Sequence, residues 1–320
     1  MKQETPQPEF EERYVDAGGL RVHYLHAGSG RPILLLHGLV GSSDNWRGNI
    51  AALTGLGSVY AIDLVNMGKS QRVLGLDAGL RATARRIVAI MDALGIAQAD
   101  VVAHSYGGAV ALMLAATNSR RVRRLVLFAP ANPYSRSSDL MVRVYSTRSG
   151  ALLLGALPYL PQRLQRMALG DMYGGADRVG ERSLREIVEG LRSPGTRRHV
   201  LCVIRCWFAE MGKLRTALRR VRRIPMLLVW GDRDFTVGFN SAAKLQRRLR
   251  NAELVVVPGG THSVFEDMPE EANRILLTWL GRPMPVRGHA MRQASRQKAA
   301  AEAAVLPEMA RAAELPASGG

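Results

Sequence analysis

Val101-Val102-Ala103-His104-Ser105-Tyr106-Gly107-Gly108-Ala109-Val110 is the stretch on which the fold turns. Three apolar residues suit a buried strand, and the apolar run over 109–116 suits a buried helix, so Ser105 stands at a strand-to-helix turn. A serine lifted above a sheet at such a turn is held in a strained backbone conformation. The same turn presses strand against helix, and positions 103 and 107 then tolerate only small side chains, here Ala103 and Gly107. The helix that begins there aims free backbone N–H groups at whatever reacts at the serine. This is the nucleophile elbow, usually Gly-x-Ser-x-Gly, with Ala103 meeting the demand of the first glycine.

On either side of the elbow the chain alternates. Continuous apolar runs at 33–36 and 59–62 suit strands buried on both faces, and further strands read at 122–128, 226–230 and 254–257. Helical spacing covers 77–94, with Ile87, Ile90, Met91 and Leu94 on one side and Gly95 as the stop, and recurs at 242–249 and 272–280. Two short strands, 13–16 and 20–25, flank the turn Ala17-Gly18-Gly19. The expected class is α/β: a mostly parallel sheet with helices on both faces. Residues 131–222 have helical segments and no buried strand, so they read as an insertion between two strands of a core made of 1–130 and 223–282. From 283 to 320 the composition shifts to Pro, Ala, Arg, Gln and Glu, which predicts a disordered tail or a loose helix at 294–304.

A serine hydroxyl is a weak nucleophile and needs a base, which in turn needs an orienting acid. The order that accompanies this elbow is serine, acid, histidine. Trp230-Gly231-Asp232-Arg233-Asp234 and Pro258-Gly259-Gly260-Thr261-His262 each follow a strand, where an open α/β sheet places its ligands. Asp234 lies further into its loop and is taken as the acid, with Asp232 capping the turn. His262 is the histidine at a strand end; His199 falls in the insertion and His289 in the tail. His37-Gly38-Leu39-Val40-Gly41 follows the strand at 33–36, and its glycines let the backbone approach the serine. The backbone N–H groups of Leu39 and Tyr106 are the candidate oxyanion donors. His37 reads as a structural hydrogen-bonding residue. His104 is expected to point away from the site, and Asp63, Asn66, Gly68 and Ser70 read as a scaffold turn.

His37-Gly38, Asp63-x4-Gly68-x-Ser70, His104-Ser105-x-Gly107-Gly108, Gly231-x2-Asp234 and Gly260-x-His262 together resemble the α/β-hydrolase superfamily over about 1–130 and 223–282. The resemblance implies the α/β-hydrolase fold, an eight-stranded, mostly parallel sheet with a helical cap over 131–222, and a serine hydrolase acting on an ester or thioester through an acyl-enzyme. It also leaves open a carbon–carbon hydrolase, a cofactor-free haloperoxidase or perhydrolase, and a non-catalytic small-ligand binder on the same fold. Dehalogenases and epoxide hydrolases of the superfamily use an aspartate where this chain has Ser105. Carbon–carbon hydrolases carry Asn before the serine and Trp after the histidine, where this chain has His104 and Ser263.

Composition narrows the partners. The net charge of +17 rests on 44 basic residues of which five are lysine, and the arginines are spread along the chain. Without a nucleic-acid motif this charge speaks to solubility and partners, and nucleic acid is not the expected substrate. The polar N-terminus carries no apolar segment, so the expected compartment is the cytoplasm. Cys202 and Cys206, with His199 three residues earlier, would share a buried helix face, and neither a metal nor an organic cofactor is expected. Residues 151–160 are apolar and serve either as cap packing or as the lining of a pocket for a small apolar ester. The basic stretch 213–223 reads as a solvated face, or as a weak contact with a membrane surface.

Overall fold

A hairpin opens the sheet: β1 (Glu11–Ala17) and β2 (Leu20–Ala27) pair antiparallel, Ala17 opposite Leu20. Gly18 and Gly19 between them both have positive φ, 59° and 77°, the conformation a two-residue hairpin turn requires. The further strands are β3 (Pro32–Leu36), β4 (Ser58–Ile62), β5 (Ala99–His104), β6 (Val122–Phe128), β7 (Met226–Gly231) and β8 (Ala252–Val257). This computed structural model describes residues 10–135, 137–221 and 224–284, so the expected tail lies outside the described residues from 285 onward.

The eight strands form one sheet in the order β1-β2-β4-β3-β5-β6-β7-β8, parallel from β4 to β8 and antiparallel at β1–β2 and β2–β4. The chain runs from β3 outward to β4, then crosses back to β5 on the other side of β3. That reversal opens a crevice beyond the carboxyl ends of β3 and β5, where Leu36 pairs with Ala103. The loop after β3 begins at His37 and the elbow follows β5, so the topology delivers both to one place.

The core helices are α1 (Arg47–Leu53), α2 (Leu80–Ala93), α3 (Ser105–Thr117) and, after the insertion, α9 (Asn240–Arg248), α10 (Val264–Asp267) and α11 (Pro269–Leu280). Successive strand residues feed opposite faces. Leu34, Leu36, Val101 and Ala103 pack with α2, α3 and α9, whereas Ile33, Leu35 and Val102 pack with α1 and α11. α2 ends at Gly95, whose φ of +69° lets Ile96 N–H return to the Met91 carbonyl at 2.8 Å.

The insertion holds α4 (Ser137–Ser146), α5 (Arg148–Ala156), α6 (Gln162–Tyr173), α7 (Glu181–Arg192) and α8 (Pro194–Ala217) around an apolar cluster of their own. Leu154 and Leu157 pack into that cluster, while Leu152 and Leu153 are 75% and 52% exposed. Leu154 and Leu157 thus pack the cap, while Leu152 and Leu153 face outward. At the end of α8, Leu214, Leu218 and Val221 enter the sheet core, which leaves Lys213, Arg215, Arg219 and Arg220 on the solvated face. The shared buried face expected for the cysteines is not found: His199 and Val203 turn inward, Cys206 is half-buried and Cys202 is exposed. Among the described residues no three His, Cys, Asp or Glu side chains are grouped to hold a metal, and no helix is long and apolar enough to cross a membrane.

Candidate active site

Ser105 is the first residue of α3 and has φ +49°, a left-handed conformation for a non-glycine residue. Its carbonyl accepts from Ala131 N–H at 2.9 Å, which anchors the turn to the loop after β6. A Cβ on Gly107 would lie 2.7 Å from the Leu36 carbonyl oxygen and closer still to that of His37. One on Gly108 would lie 2.6 Å from Pro130 Cβ. Both glycines are thus set by close approach of neighbouring backbone and ring, with Ala103 fully buried below them.

His262 Nε2 lies 3.0 Å from Ser105 Oγ, and His262 Nδ1 lies 3.0 Å from Asp234 Oδ2. With the carboxylate ionised, Nδ1–H donates to Asp234 and Nε2 is left to accept the serine hydroxyl proton. Burial raises the Asp234 pKa, but the nearby imidazole, its hydrogen bond and the Val237 and Thr236 amides outweigh burial, so the carboxyl is held below its ordinary value. Those two amides donate to Oδ1 at 3.0 and 2.9 Å, orienting Oδ2 toward the ring. Asp232 does other work. Its Oδ1 accepts from Gly259 N–H at 2.8 Å, tying the loop after β7 to the loop after β8. Gly231 and Gly260 sit backbone against backbone at the base of these loops.

The loop after β3 is pinned by His37. Its Nδ1–H donates to the Gly38 carbonyl at 2.7 Å and its Nε2 accepts from Leu64 N–H at 3.0 Å. The ring is fully buried, which lowers its pKa and keeps it neutral. Gly38 lies against the serine: a Cβ there would be 3.3 Å from Ser105 Cβ. The Leu39 amide donates to no described residue. Tyr106 N–H belongs to the first turn of α3, where amides have no intrahelical acceptor. The Tyr106 side chain leaves the site; its hydroxyl is 3.4 Å from Thr83 Oγ1 and burial pushes its pKa up to about 12. Asp63 behaves as scaffold, accepting from Ser43 and Lys69 amides and from His23 Nδ1.

Two residues of the site escaped the sequence reading. The sequence predicts that His104 turns away; instead its ring centroid lies 4.6 Å from that of His262, the planes tilted by 54°, and its Nε2–H donates to the His262 carbonyl at 3.1 Å. Burial, then the neighbouring imidazole, hold its pKa well below the ordinary value, so it stays a neutral brace under the histidine loop. Glu266 accepts from Ser183 of α7 and from Asn45 Nδ2 at 3.3 Å, fastening the cap beside His262. Burial raises its pKa to about 7. No motif marks either residue, because each acquires its partner only when remote loops meet.

The sequence model of a family described as alpha/beta hydrolase fold matches residues 31–269, and the chain belongs to that family, as an α/β-fold hydrolase. A putative carbamate hydrolase of Azorhizobium caulinodans is 28% identical over 268 residues, which is 84% of this chain and 98% of the relative. A 2-hydroxy-6-oxo-2,4-heptadienoate hydrolase of Pseudomonas putida is 37% identical over 118 residues, 36% of this chain and 43% of that one. The crystal structure of haloalkane dehalogenase DatA from Agrobacterium tumefaciens C58 superposes with a TM-score of 0.74 at 25% identity, covering 85% of this chain and 97% of the other.

Proposed function

We propose that this chain is a serine hydrolase that cleaves a small apolar carboxylic ester, or thioester, through an acyl-enzyme. Ser105 Oγ attacks the substrate carbonyl carbon while His262 Nε2 takes the hydroxyl proton. Asp234 holds Nδ1–H and stabilises the imidazolium. The Leu39 and Tyr106 amides receive the oxyanion. His262 then returns the proton to the leaving alkoxide or thiolate. Water, deprotonated by the same nitrogen, releases the acid and restores Ser105. The observation that carries this reading is the line of two 3.0 Å contacts from serine through imidazole to carboxylate.

The apolar substrate is argued from the roof. Leu39, in the loop beside Ser105, and Trp207 pack against both the sheet core and the cap cluster, which supports an apolar surrounding for the substrate. A fluorophosphonate probe should label the native chain and leave Ser105→Ala unlabelled, and a series of p-nitrophenyl esters should then be turned over. A chain that takes neither probe nor ester would be a binding protein on this fold. The stretch that is 37% identical to the Pseudomonas putida enzyme favours a second reading, hydrolysis of a carbon–carbon bond. A vinylogous diketone turned over faster than any ester would select it.

A further inference from the structure

Fifteen large apolar side chains are exposed among the described residues, and eight of them fall within residues 140–167 of the cap. α4 exposes Leu140, Met141 and Val144, and α5, packed against it, exposes Leu152 and Leu153. α4 also packs on α8, where Phe208 is exposed and the Arg143 guanidinium sits 5.4 Å from its ring centroid. The inward faces of the same helices already supply the cap cluster through Val142 and Leu154. The outward leucines therefore contribute nothing to that core, on faces where a solvated helix carries polar residues. An exposed apolar concentration of this kind marks an interaction site.

Charge selects the occupant. α4 and α5 carry Arg143 and Arg148 against Asp139, in a chain of net charge +17. Among the described residues, Arg143 and Arg148 join no ion pair. Apolar side chains interleaved with uncompensated arginine match the interface of an anionic bilayer. A second copy fits worse, because a two-fold contact would set the same arginines against each other. We propose that the outer face of α4 and α5 seats this chain on an anionic lipid surface. The cluster that these helices help to form also packs against Leu39, which suits delivery of an apolar ester from the bilayer; only this last point rests on the proposed reaction.

The test is co-sedimentation of the full chain with vesicles of phosphatidylcholine alone or of equimolar phosphatidylglycerol and phosphatidylcholine. Partitioning onto the anionic vesicles is expected to be at least about tenfold stronger and to fall with added salt. Leu152→Glu with Leu153→Glu should lower it about tenfold, leaving hydrolysis of a soluble short ester unchanged. Arg148→Gln, which alters no apolar packing, should lower it severalfold. Equal partitioning onto both vesicle types, or onto neither, would overturn the proposal. So would a dimer in light scattering that the leucine variant dissociates, since a second copy would then cover the face. A chain that binds vesicles but hydrolyses no ester supports the docking face and refutes only the proposed reaction.

Discussion

Asp234→Asn tests how the loop after β7 instructs His262. In the native chain Oδ1 is committed to the Thr236 and Val237 amides, and only Oδ2 reaches the imidazole. An asparagine in that place must keep its single oxygen on the two amides, so its NH2 points at His262 Nδ1. The ring is then forced into the Nε2–H tautomer, which cannot accept the Ser105 proton. Flipping the amide would restore the tautomer but leave two backbone donors facing an NH2 group. At about 1–3 kcal/mol for each donor left unsatisfied, the flip costs about 2–6 kcal/mol. The two N–H groups also repel the NH2, which puts the cost near the upper end. A tautomer block of about 10⁴-fold corresponds to about 5.5 kcal/mol, so the two routes are nearly equal and neither rescues turnover. The expected result is therefore a fall of about 10⁴ in kcat on a p-nitrophenyl ester, with thermal stability little changed. Even the lowest flip cost, about 2 kcal/mol, implies about a 30-fold loss. A smaller loss, or a larger one for Asp232→Asn, would refute the assignment of the acid.

Three further outcomes are expected. Ser105→Ala and His262→Ala should each abolish nearly all turnover and the double variant should be little worse, because the groups act as a unit; additive losses would separate them. Glu266 has its carboxyl pKa raised from 4.5 to about 7 by burial, so the folded state holds the extra proton between these values. Stability from this site is then present below about pH 4.5 and lost as pH rises toward about 7; melting curves of Glu266→Gln should be flatter across that window, and an unchanged slope would count against the argument. Gly107→Ala forces a Cβ against the Leu36 and His37 carbonyl oxygens, which belong to a sheet strand and its loop and cannot yield. A loss of about 1–3 kcal/mol in denaturant unfolding is expected, and a neutral result would mean the elbow relaxes.

The elements legible in the sequence are those whose signal is local. Two-sided burial writes uninterrupted apolar runs, which is why β3, β4, β5 and β7 could be read from residues 33–36, 59–62, 101–103 and 226–230, and β6 from the apolar end of 122–128. The elbow was legible because steric crowding dictates small residues at fixed offsets from Ser105, and Gly107 meets backbone where that reasoning puts it. The choice of Asp234 over Asp232 matches the contact each carboxylate makes, since depth in the loop reflects distance from the strand end. Tertiary structure alone decided the rest. Whether Leu153 or Leu154 faces inward depends on the rotation of α5, and an all-apolar segment carries no periodic signal to set it. Cys202 and Cys206 share a face but not burial, because of the two only Cys206 packs against the sheet core. His104 and Glu266 brace the histidine loop through partners 158 and 83 residues away in sequence, and contacts that long-range leave no mark on the residues beside them.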